Sequence, residues 1–363
     1  MKVVIAHDFL RHGGADKVLE HLHAMWPDAK IYTLLAEELP QYEGMDIQSS
    51  WLQGKVPPAK YRWPLPLFQG IVDRLPRKID WEGVDLLISS SVSFMKNLKA
   101  PEGIPHLCYI YRPAMFAYDR EDMFLSGYSP VLRPALKMVT SRFRRWDQKH
   151  KNNADLYVSI SNYVAGMVQK AYDKDSRVVY PPVDLEPYRN AAKGVEPGDY
   201  YFTALRLEGY KRVDLLVDAC NRLKLNLKIA GRGPMFDALR EQAGPTVQLL
   251  GFVSDEEMLS LVAGCRAFVF PAEEDFGISP VEALAAGRPV VALGKGGTAE
   301  TVIDGVTGVH FHEQTVEAVM EAIQRAEKMD WDTAVIQESA EKFSEEAFRN
   351  ALRALAEGLV ARG

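Results

Sequence analysis

Short apolar runs alternate with amphipathic segments of helical period over most of the chain. This alternation is typical of βα units, in which helices connect parallel strands. Strands are predicted in the first half at 3–6, 30–33, 86–89, 106–110, 156–160 and 177–180, and in the second half at 200–204, 226–230, 247–250, 267–270, 289–293 and 309–311. Helices are predicted between them, for example at 212–223, 235–243 and 255–264. The pattern therefore predicts an α/β fold built on parallel sheets.

A chain of 363 residues suits two domains. Two consecutive prolines, Pro181 and Pro182, interrupt the alternation, so we predict two doubly wound halves joined near 181–184. Ligands of such sheets bind beyond the carboxyl ends of the strands, and we expect the active site between the two domains. The last segment, 344–359, places Phe348, Leu352, Leu355 and Leu359 on one helical face, so it needs an apolar surface to pack on.

The composition is that of an ordinary globular protein, with 47% hydrophobic and 25% charged residues. Three cysteines lie in or beside apolar segments without metal-ligand spacing and are interpreted as reduced core residues. The chain begins with a predicted strand instead of a signal peptide, and no run approaches the roughly 20 apolar residues that span a bilayer. We expect a cytoplasmic protein, and the net charge of −6 argues against nucleic acid as its partner.

The charge is distributed unevenly. Between residues 133 and 151, seven Lys or Arg residues stand against one acid, Asp147. A second basic stretch is interleaved with apolar residues: Lys55, Lys60, Arg62, Arg74, Arg77 and Lys78 alternate with Trp51, Tyr61, Trp63, Leu65, Leu67 and Phe68. Such mixtures bind anionic lipid headgroups, which would place the protein peripherally on the inner face of a membrane. The alternative is an ordinary solvated helix face.

Two carboxylates, Glu274 and Glu282, stand eight positions apart across a predicted strand end, a turn and a helix start. Phe276, Gly277 and Ile278 lie between them, where helix N-termini offer unpaired amides to a phosphate. A phosphate site flanked by acceptors for hydroxyl groups predicts a nucleotide sugar as ligand. The alternative is a solvated acidic turn followed by an exposed first-turn glutamate.

Glycine pairs follow two of the predicted strands. Gly13 and Gly14 open the first predicted helix, where they would let a phosphate approach the backbone. The G-x-G-x-x-G fingerprint of a dehydrogenase is absent from this position. Gly231 and Gly233 follow the predicted strand 226–230, and we expect them to pass close under the phosphates or the nucleobase.

Two cations follow the first predicted strand of the second half. Arg206 and Lys211 would lie at the mouth of the crevice, where fixed positive charge can neutralise a diphosphate leaving group. For either residue alone, an exposed basic loop is the alternative. Phe252 and Val253, after the strand 247–250, are expected to flank the nucleobase.

Together these stretches resemble glycosyltransferase family 4, the retaining enzymes of the GT-B architecture, over essentially the whole chain. The matching residues are Gly13 and Gly14, Pro181 to Asp184, Arg206 with Lys211, Gly231 with Gly233 and Pro234, Glu274 with Glu282, and Gly296 with Gly297 and Glu300. The sequences around His7-Asp8, Tyr210 to Asp214 and Glu274 to Ile278 are similar to those of the bacterial branch of GDP-mannose-dependent mannosyltransferases.

The resemblance implies two Rossmann-like domains facing a central cleft: an acceptor-binding domain at 1–182, a donor-binding domain at 183–343, and a C-terminal helix at 344–363 that packs on the first. By the same likeness, Glu282 holds the ribose, Arg206 and Lys211 the diphosphate, and Glu274 the hydroxyls of the transferred sugar. The amides near Gly14 and from Phe276 to Ile278 bind phosphate and sugar.

For the substrates, the likeness implies GDP-mannose as donor in preference to UDP-sugars. The acceptor is expected to be a glycan or a lipid-linked glycan in surface polysaccharide assembly. No metal or other cofactor is expected, and Asp173 and Asp175, which have the spacing of a metal-binding pair, are interpreted as a surface turn. The pairs His21 with His23 and His310 with His312 lack a third ligand nearby.

One stretch departs from the family pattern of His-Thr-Pro, an aromatic residue and Trp-Asp. Here Tyr111 stands in place of the histidine and Tyr118 in place of the tryptophan. Tyr111, Arg112 and Tyr118 are expected on the acceptor side, although a phenol with a pKa near ~10 is a poor base at neutral pH. Asp119 is expected to orient the acceptor as part of the catalytic set, or else to cap a helix.

A base is dispensable if the departing phosphate oxygen itself takes the acceptor's proton, as a retaining transfer on one face allows. Two other functions remain open. The replacement of the histidine would also suit a catalytically degenerate subunit that binds a nucleotide sugar. A nucleotide-sugar epimerase of the same architecture would need a proton relay, for which the sequence offers no dedicated histidine pair.

Overall fold

The structure, a computed structural model, describes residues 1–11, 14–37, 39–56 and 65–362. The chain divides into two compact units, residues 1–182 with 348–363 and residues 183–347. Each unit contains one parallel sheet, of seven strands in the first and six in the second. The predicted α/β fold with two Rossmann-like sheets is confirmed.

The first sheet has the strand order β3-β2-β1-β4-β5-β6-β7, so the order reverses between β1 and β4. Its strands are β1 Val3–Leu10, β2 Lys30–Ala36, β3 Ile47–Ser49, β4 Leu86–Ser91, β5 His106–Ile110, β6 Leu156–Ser159 and β7 Ser176–Val178. The helices of this unit are α1 Gly14–Met25, α2 Leu65–Arg74, α3 Glu121–Ser126, α4 Arg133–His150 and α5 Asn162–Tyr172.

An aromatic cluster fills the core on one side of this sheet. Phe94 makes edge-to-face contacts with Phe9, Phe68 and Phe143, with ring centroids 5.4 to 6.0 Å apart. Phe68 is fully buried. The expectation that Phe68 belongs to a basic, lipid-facing surface is therefore wrong, because its ring faces inward from α2. Lys60, Tyr61, Arg62 and Trp63 of that stretch lie outside the described residues.

The second sheet repeats the plan with the order β10-β9-β8-β11-β12-β13, which reverses between β8 and β11. Its strands are β8 Tyr200–Ala204, β9 Asn226–Ala230, β10 Val247–Gly251, β11 Ala267–Phe270, β12 Val290–Leu293 and β13 Gly308–Phe311. Its helices are α6 Glu186–Ala192, α7 Val213–Leu223, α8 Phe236–Gln242, α9 Asp255–Ala263, α10 Ile278–Ala285, α11 Thr298–Thr301, α12 Val316–Ala326 and α13 Thr333–Ser339. In both sheets the reversal creates a place where loops diverge and a ligand can enter.

The last helix, α14 Glu345–Val360, buries Phe348, Leu352 and Ala356. From Phe348 onward it is part of the first unit. The ring of Phe348 meets those of His21 and Tyr109 edge to face, at 6.1 and 5.7 Å. The apolar face predicted for this segment therefore packs, through Phe348, on residues of the first unit. No described helix combines the length and the apolar character required to cross a bilayer.

Candidate active site

The strongest candidate site lies where the second sheet reverses its strand order. Lys211 ends the short 3₁₀ turn Gly209–Lys211 after β8, and Glu274 follows β11. The ammonium of Lys211 forms an ion pair with the carboxylate of Glu274, and the two side chains are only 12% and 25% exposed. The ammonium also lies 5.3 Å from the ring centroid of Tyr210. The structure therefore brings two of the predicted site residues into direct contact.

The loop that contains Gly296 and Gly297 packs against the backbone at Glu274. The amide of Gly297 donates to the carbonyl of Glu274 at 2.8 Å. A Cβ atom on Gly297 would lie 2.2 Å from the backbone of Phe276, and one on Gly296 would lie 2.4 Å from the carbonyl oxygen of Glu274. These glycines are required because two loops of the protein pack backbone to backbone, and this packing fixes the position of Glu274.

Helix α10 begins immediately after this contact. Gly277 occupies the residue before the helix with φ +86°, a conformation that glycine adopts without strain. The amides of Ile278 and Ser279 lie in the first turn, where N–H groups have no partner within the helix, whereas Pro280 has no N–H to offer. A helix therefore begins where the sequence predicted one, with two amides instead of three in that turn, and its binding of a phosphate stays a prediction.

Glu282 lies in α10 and interacts with a residue that the sequence did not single out. Tyr188 of α6, a helix that packs against α10, is hydrogen-bonded through its hydroxyl to Glu282. Burial raises the pKa of Tyr188 well above its usual value, and the charge of Glu282 raises it further. Tyr188 therefore remains a hydrogen-bond donor that orients the Glu282 carboxylate. Its pairing joins residues 94 positions apart, and no local pattern signals it.

Arg206 and the glycines after β9 make contacts within the protein. The Arg206 side chain is 75% exposed and pairs with Glu208, with Nε and Oε1 3.0 Å apart. Cβ atoms on Gly231 and Gly233 would lie 1.9 and 2.4 Å from the carbonyl oxygens of Leu205 and Leu207. These glycines are required for close packing of the protein's own backbone, and their predicted contact with the donor stays a prediction.

An aromatic face is open after β10. Phe252 is 72% exposed, and the guanidinium carbon of Arg232 lies 5.7 Å from its ring centroid. Val253 beside it is partly buried. An exposed ring next to a cation suits stacking with a planar base, so the prediction that Phe252 flanks a nucleobase stands as a prediction.

In the first unit, Asp8 organises the corresponding reversal point. Its buried carboxylate accepts backbone N–H groups of the segment after β4: Val92 at 2.7 Å, Phe94 at 3.0 Å and Met95 at 2.7 Å, with Ser93 as a further donor. Burial raises the pKa of Asp8, and these amides act in the opposite direction. Asp8 thus fixes the turn that follows β4. Gly14 begins α1 and is exposed, while Gly13 lies outside the described residues.

The predicted acceptor-side residues are bonded within the protein. Asp119 forms an ion pair with Arg112, and the Arg120 guanidinium lies 4.0 Å away. Asp119 does not cap α3, since Arg120 occupies the capping position without a side-chain bond. The hydroxyl of Tyr118 donates to Asp147 at 2.7 Å, which directs it into the interior. The acceptor-binding roles of Arg112, Tyr118 and Asp119 stay predictions.

Tyr111, which replaces the family histidine, is also engaged internally. Its hydroxyl donates to the carbonyl of Ala15 in α1 at 3.0 Å and lies 2.9 Å from the hydroxyl of Ser90. Burial raises the pKa of Tyr111 far above its usual value, so it does not act as a base. Among the described residues, no group of three or more His, Cys, Asp or Glu side chains is placed to hold a metal ion.

Part of the chain matches a known protein family. Residues 188–350 match the family profile described as "Glycosyl transferases group 1". That stretch of the chain is similar to the group 1 glycosyl transferases. It contains Tyr188, Lys211, Glu274 and Glu282, and hence every contact described above at the reversal point of the second sheet.

Two similar proteins of known sequence are named as glycosyltransferases. The chain is 28% identical over 243 residues to an uncharacterised glycosyltransferase of Methanocaldococcus jannaschii, covering 64% of this chain and 62% of the relative. It is 28% identical over 203 residues to O-antigen chain mannosyltransferase C of Escherichia coli, covering 52% and 55%. The chain therefore spans little more than half the length of the curated relatives it matches.

Among solved structures, HepE of Anabaena in complex with UDP is similar over 99% of this chain and 100% of that chain, with a TM-score of 0.72 and 17% identity. This likeness shows that both Rossmann-like units share their fold with a known protein, as expected for the GT-B class.

Proposed function

We propose that the protein is a retaining glycosyltransferase of family 4. It transfers a hexose, with mannose favoured, from a nucleoside diphosphate sugar to a glycan or lipid-linked glycan acceptor in surface polysaccharide assembly. The second unit holds the donor and the first contributes to acceptor binding. Arg206, Lys211, Glu274 and Asp119 form the catalytic set.

The observation that carries this proposal is the Lys211–Glu274 ion pair beside the start of α10. A cation, a carboxylate and first-turn amides lie at the strand-order reversal of a parallel sheet, which is where such sheets bind ligands. The amides and the ammonium match a diphosphate, and the carboxylate matches sugar hydroxyls. Residues 188–350 are similar to a family of glycosyl transferases, which supports the same assignment.

In the proposed reaction, the bond between the anomeric carbon and the diphosphate oxygen breaks while the acceptor oxygen bonds to that carbon on the same face. The acceptor's proton passes to the departing phosphate oxygen, and the nucleoside diphosphate leaves. Lys211 neutralises the charge that develops on the diphosphate. No side-chain base is needed, which is consistent with the internal engagement of Tyr111.

GDP-mannose is proposed as the donor in preference to UDP-sugars. The similarity to a mannosyltransferase of O-antigen chains favours mannose, whereas the structural neighbour from Anabaena was solved with UDP. Sugar and base identity each depend on a few hydrogen bonds, so a direct comparison of ligands is required.

A thermal-shift panel tests the proposal. GDP-mannose, UDP-glucose and UDP-N-acetylglucosamine are compared with GDP and UDP at equal concentration, since a ligand that binds only the folded protein raises its melting temperature. We expect GDP-mannose and GDP to give the largest shifts. Stabilisation by UDP-sugars alone would contradict the donor assignment but not the transferase, and no shift with any nucleotide would contradict both.

We also propose a peripheral membrane contact through α4. Its one acid, Asp147, is fully buried in an ion pair with Lys96, so it does not offset the basic surface. Val131, Leu132 and Met138, at and near the start of the helix, are 87%, 48% and 67% exposed. The exposed basic residues along it are Arg133, Lys137, Arg142, Arg145 and Lys149. Exposed apolar side chains surrounded by cations are typical of surfaces that bind an anionic bilayer.

A further inference from the structure

A chain of buried polar groups links three strands of the first sheet to the beginning of α1. His7 lies in β1, and its Nδ1 is 3.0 Å from the Ser90 hydroxyl in β4. The Ser90 hydroxyl lies 2.9 Å from that of Tyr111, which follows β5. The Tyr111 hydroxyl reaches the carbonyl oxygen of Ala15 at 3.0 Å. His7 and Ser90 are almost completely buried.

The end of this chain determines the direction of its hydrogen bonds. A carbonyl oxygen only accepts, so Tyr111 donates its single proton to Ala15. The Tyr111 oxygen then accepts from Ser90, and the Ser90 oxygen lies 3.0 Å from Nδ1 of His7. Burial lowers the pKa of His7 to about 4, so its ring is neutral at pH 7. Each hydroxyl is fully used within the protein.

The ring of Tyr111 is held independently of its hydroxyl. It meets the Tyr109 ring edge to face at 5.6 Å, and Tyr109 in turn meets Phe348 of α14 at 5.7 Å. Removing only the hydroxyl would therefore preserve the packing of the ring. It would leave the Ala15 carbonyl with its helical bond alone and the Ser90 hydroxyl with His7 as its remaining partner.

We infer that Tyr111 and Ser90 are positioning residues that fix the first turn of α1, and that through this turn they set the affinity for the donor. The inference rests on the proposed function in one respect, namely that the amide of Gly14 contributes to donor binding. Tyr111 then holds α1 in place from within the sheet, instead of contacting the substrate as the family histidine is expected to do.

Three variants test this inference. Tyr111→Phe and Ser90→Ala each break the chain of hydrogen bonds. Tyr109→Phe is the matched control, because it also removes a buried phenol hydroxyl, one that donates to the Val179 carbonyl at 3.0 Å and has no link to α1. Tyr111→Phe loses the contacts with Ala15 and Ser90, Ser90→Ala loses those with Tyr111 and His7, and Tyr109→Phe loses the single bond to Val179. Only the first two variants interrupt the link to α1.

The first measurement is amide hydrogen exchange in the ligand-free protein. Amides 18–20 of α1 bond to the carbonyls of residues 14–16, so they report on its first turn. We expect Tyr111→Phe and Ser90→Ala to speed their exchange by about tenfold, the equivalent of one internal hydrogen bond, with no change in Tyr109→Phe. Unchanged exchange in Tyr111→Phe would overturn the anchoring of α1.

The second measurement separates KM from kcat with the donor identified by the panel. Both variants should raise the donor KM by about tenfold while kcat stays within about twofold, since only binding geometry is lost. The double variant should match the worse single one, because both break the same chain. Faster exchange with an unchanged KM would overturn the link to the donor. If the wild-type protein transfers no sugar, the proposed function fails while the exchange experiment still decides whether Tyr111 anchors α1.

Discussion

The ammonium of Lys211 is ion-paired with the carboxylate of Glu274, and this contact joins the loops after β8 and β11, the two strands between which the second sheet reverses its order. The pair is mostly buried, and the loop containing Gly296 and Gly297 supports it. In the proposed reaction, a cation held in this way would already be in place when the diphosphate binds. The protein would then not have to reorganise as charge develops on the leaving group.

Glu282 is predicted to control donor affinity with the help of Tyr188. Glu282→Ala should weaken donor binding by about 10-fold to 100-fold, the range for a hydrogen bond to a charged group, and Tyr188→Phe should weaken it less. Isothermal titration with the nucleotide measures both. Tyr200→Phe is the control, because its hydroxyl donates to the Leu261 carbonyl at 2.9 Å. An unchanged donor Kd in Glu282→Ala would remove it from the binding site.

Two glycine-to-alanine substitutions should change the free energy of unfolding in opposite directions. Gly297→Ala forces a Cβ to within 2.2 Å of the Phe276 backbone and should destabilise the protein by about 1–3 kcal/mol. Gly166→Ala in α5 meets no atom within 4 Å and should stabilise it by about 0.5–1 kcal/mol. Urea unfolding compares the two variants with the wild type. Equal midpoints for Gly297→Ala and the wild type would show that the two loops do not pack as described.

The pH dependence of stability should contain a contribution from His106. This buried side chain lies between the Asn153 carbonyl, 3.0 Å from Nδ1, and the Ser89 hydroxyl, 2.7 Å from Nε2. Burial lowers its pKa from 6.5 to about 4. Between these two pH values, His106 is neutral in the folded protein and protonated in the unfolded chain. Stability is retained above pH 6.5 and is lost as the pH falls toward 4, by about 2 kcal/mol at pH 5.

The difference between the wild type and His106→Gln isolates this contribution from the other buried groups. Urea unfolding at pH 7 and pH 5, followed by tryptophan fluorescence, is suitable because five of the six tryptophans belong to residues 1–182. The wild type should lose about 2 kcal/mol more than His106→Gln between the two pH values. Equal losses would show that His106 is protonated in the folded protein.

The membrane contact predicts a sensitivity to charge at α4. Replacing Arg142, Arg145 and Lys149 by Glu should reduce binding to vesicles that contain phosphatidylglycerol by about 100-fold or more, since each cation contributes about 1 kcal/mol. The control changes the same number of charges at exposed lysines elsewhere, in Lys99, Lys170 and Lys328. Co-sedimentation measures both. Equal loss in the two triple variants would refute a specific surface, and no binding by the wild type would refute the contact itself.

Much of the fold was predictable because buried parallel strands are continuous apolar runs. Short and exposed elements were not: β3 Ile47–Ser49 was missed because it has three residues and is largely exposed. Helix α7 starts at Val213, one residue later than predicted, because Arg212 adopts a left-handed conformation at φ 56°. The strand orders depend on long-range pairing, which a single sequence does not display.

The candidate site was predictable in part for the same reason. Lys211 and Glu274 could be expected to lie close together because both follow strands of one sheet, whose carboxyl ends share an edge. The bond of Tyr188 to Glu282 and the link from Tyr111 to Ala15 depend on side-chain packing between distant segments. The glycines at 231 and 233 signal a close approach, and only the structure shows that the approach is to Leu205 and Leu207.

The release of nucleoside diphosphate by the wild type and by Lys211→Ala, measured with donor and acceptor present, decides whether Lys211 stabilises the leaving group. We expect turnover by the wild type and a kcat lower by about 10² to 10³-fold in the variant, the loss typical of one charge-stabilising donor. The variant should remain folded, with an unchanged near-ultraviolet circular dichroism spectrum. Equal turnover by both proteins would contradict the role of Lys211, and a wild type that binds the donor but releases no nucleotide would contradict the assignment as a transferase.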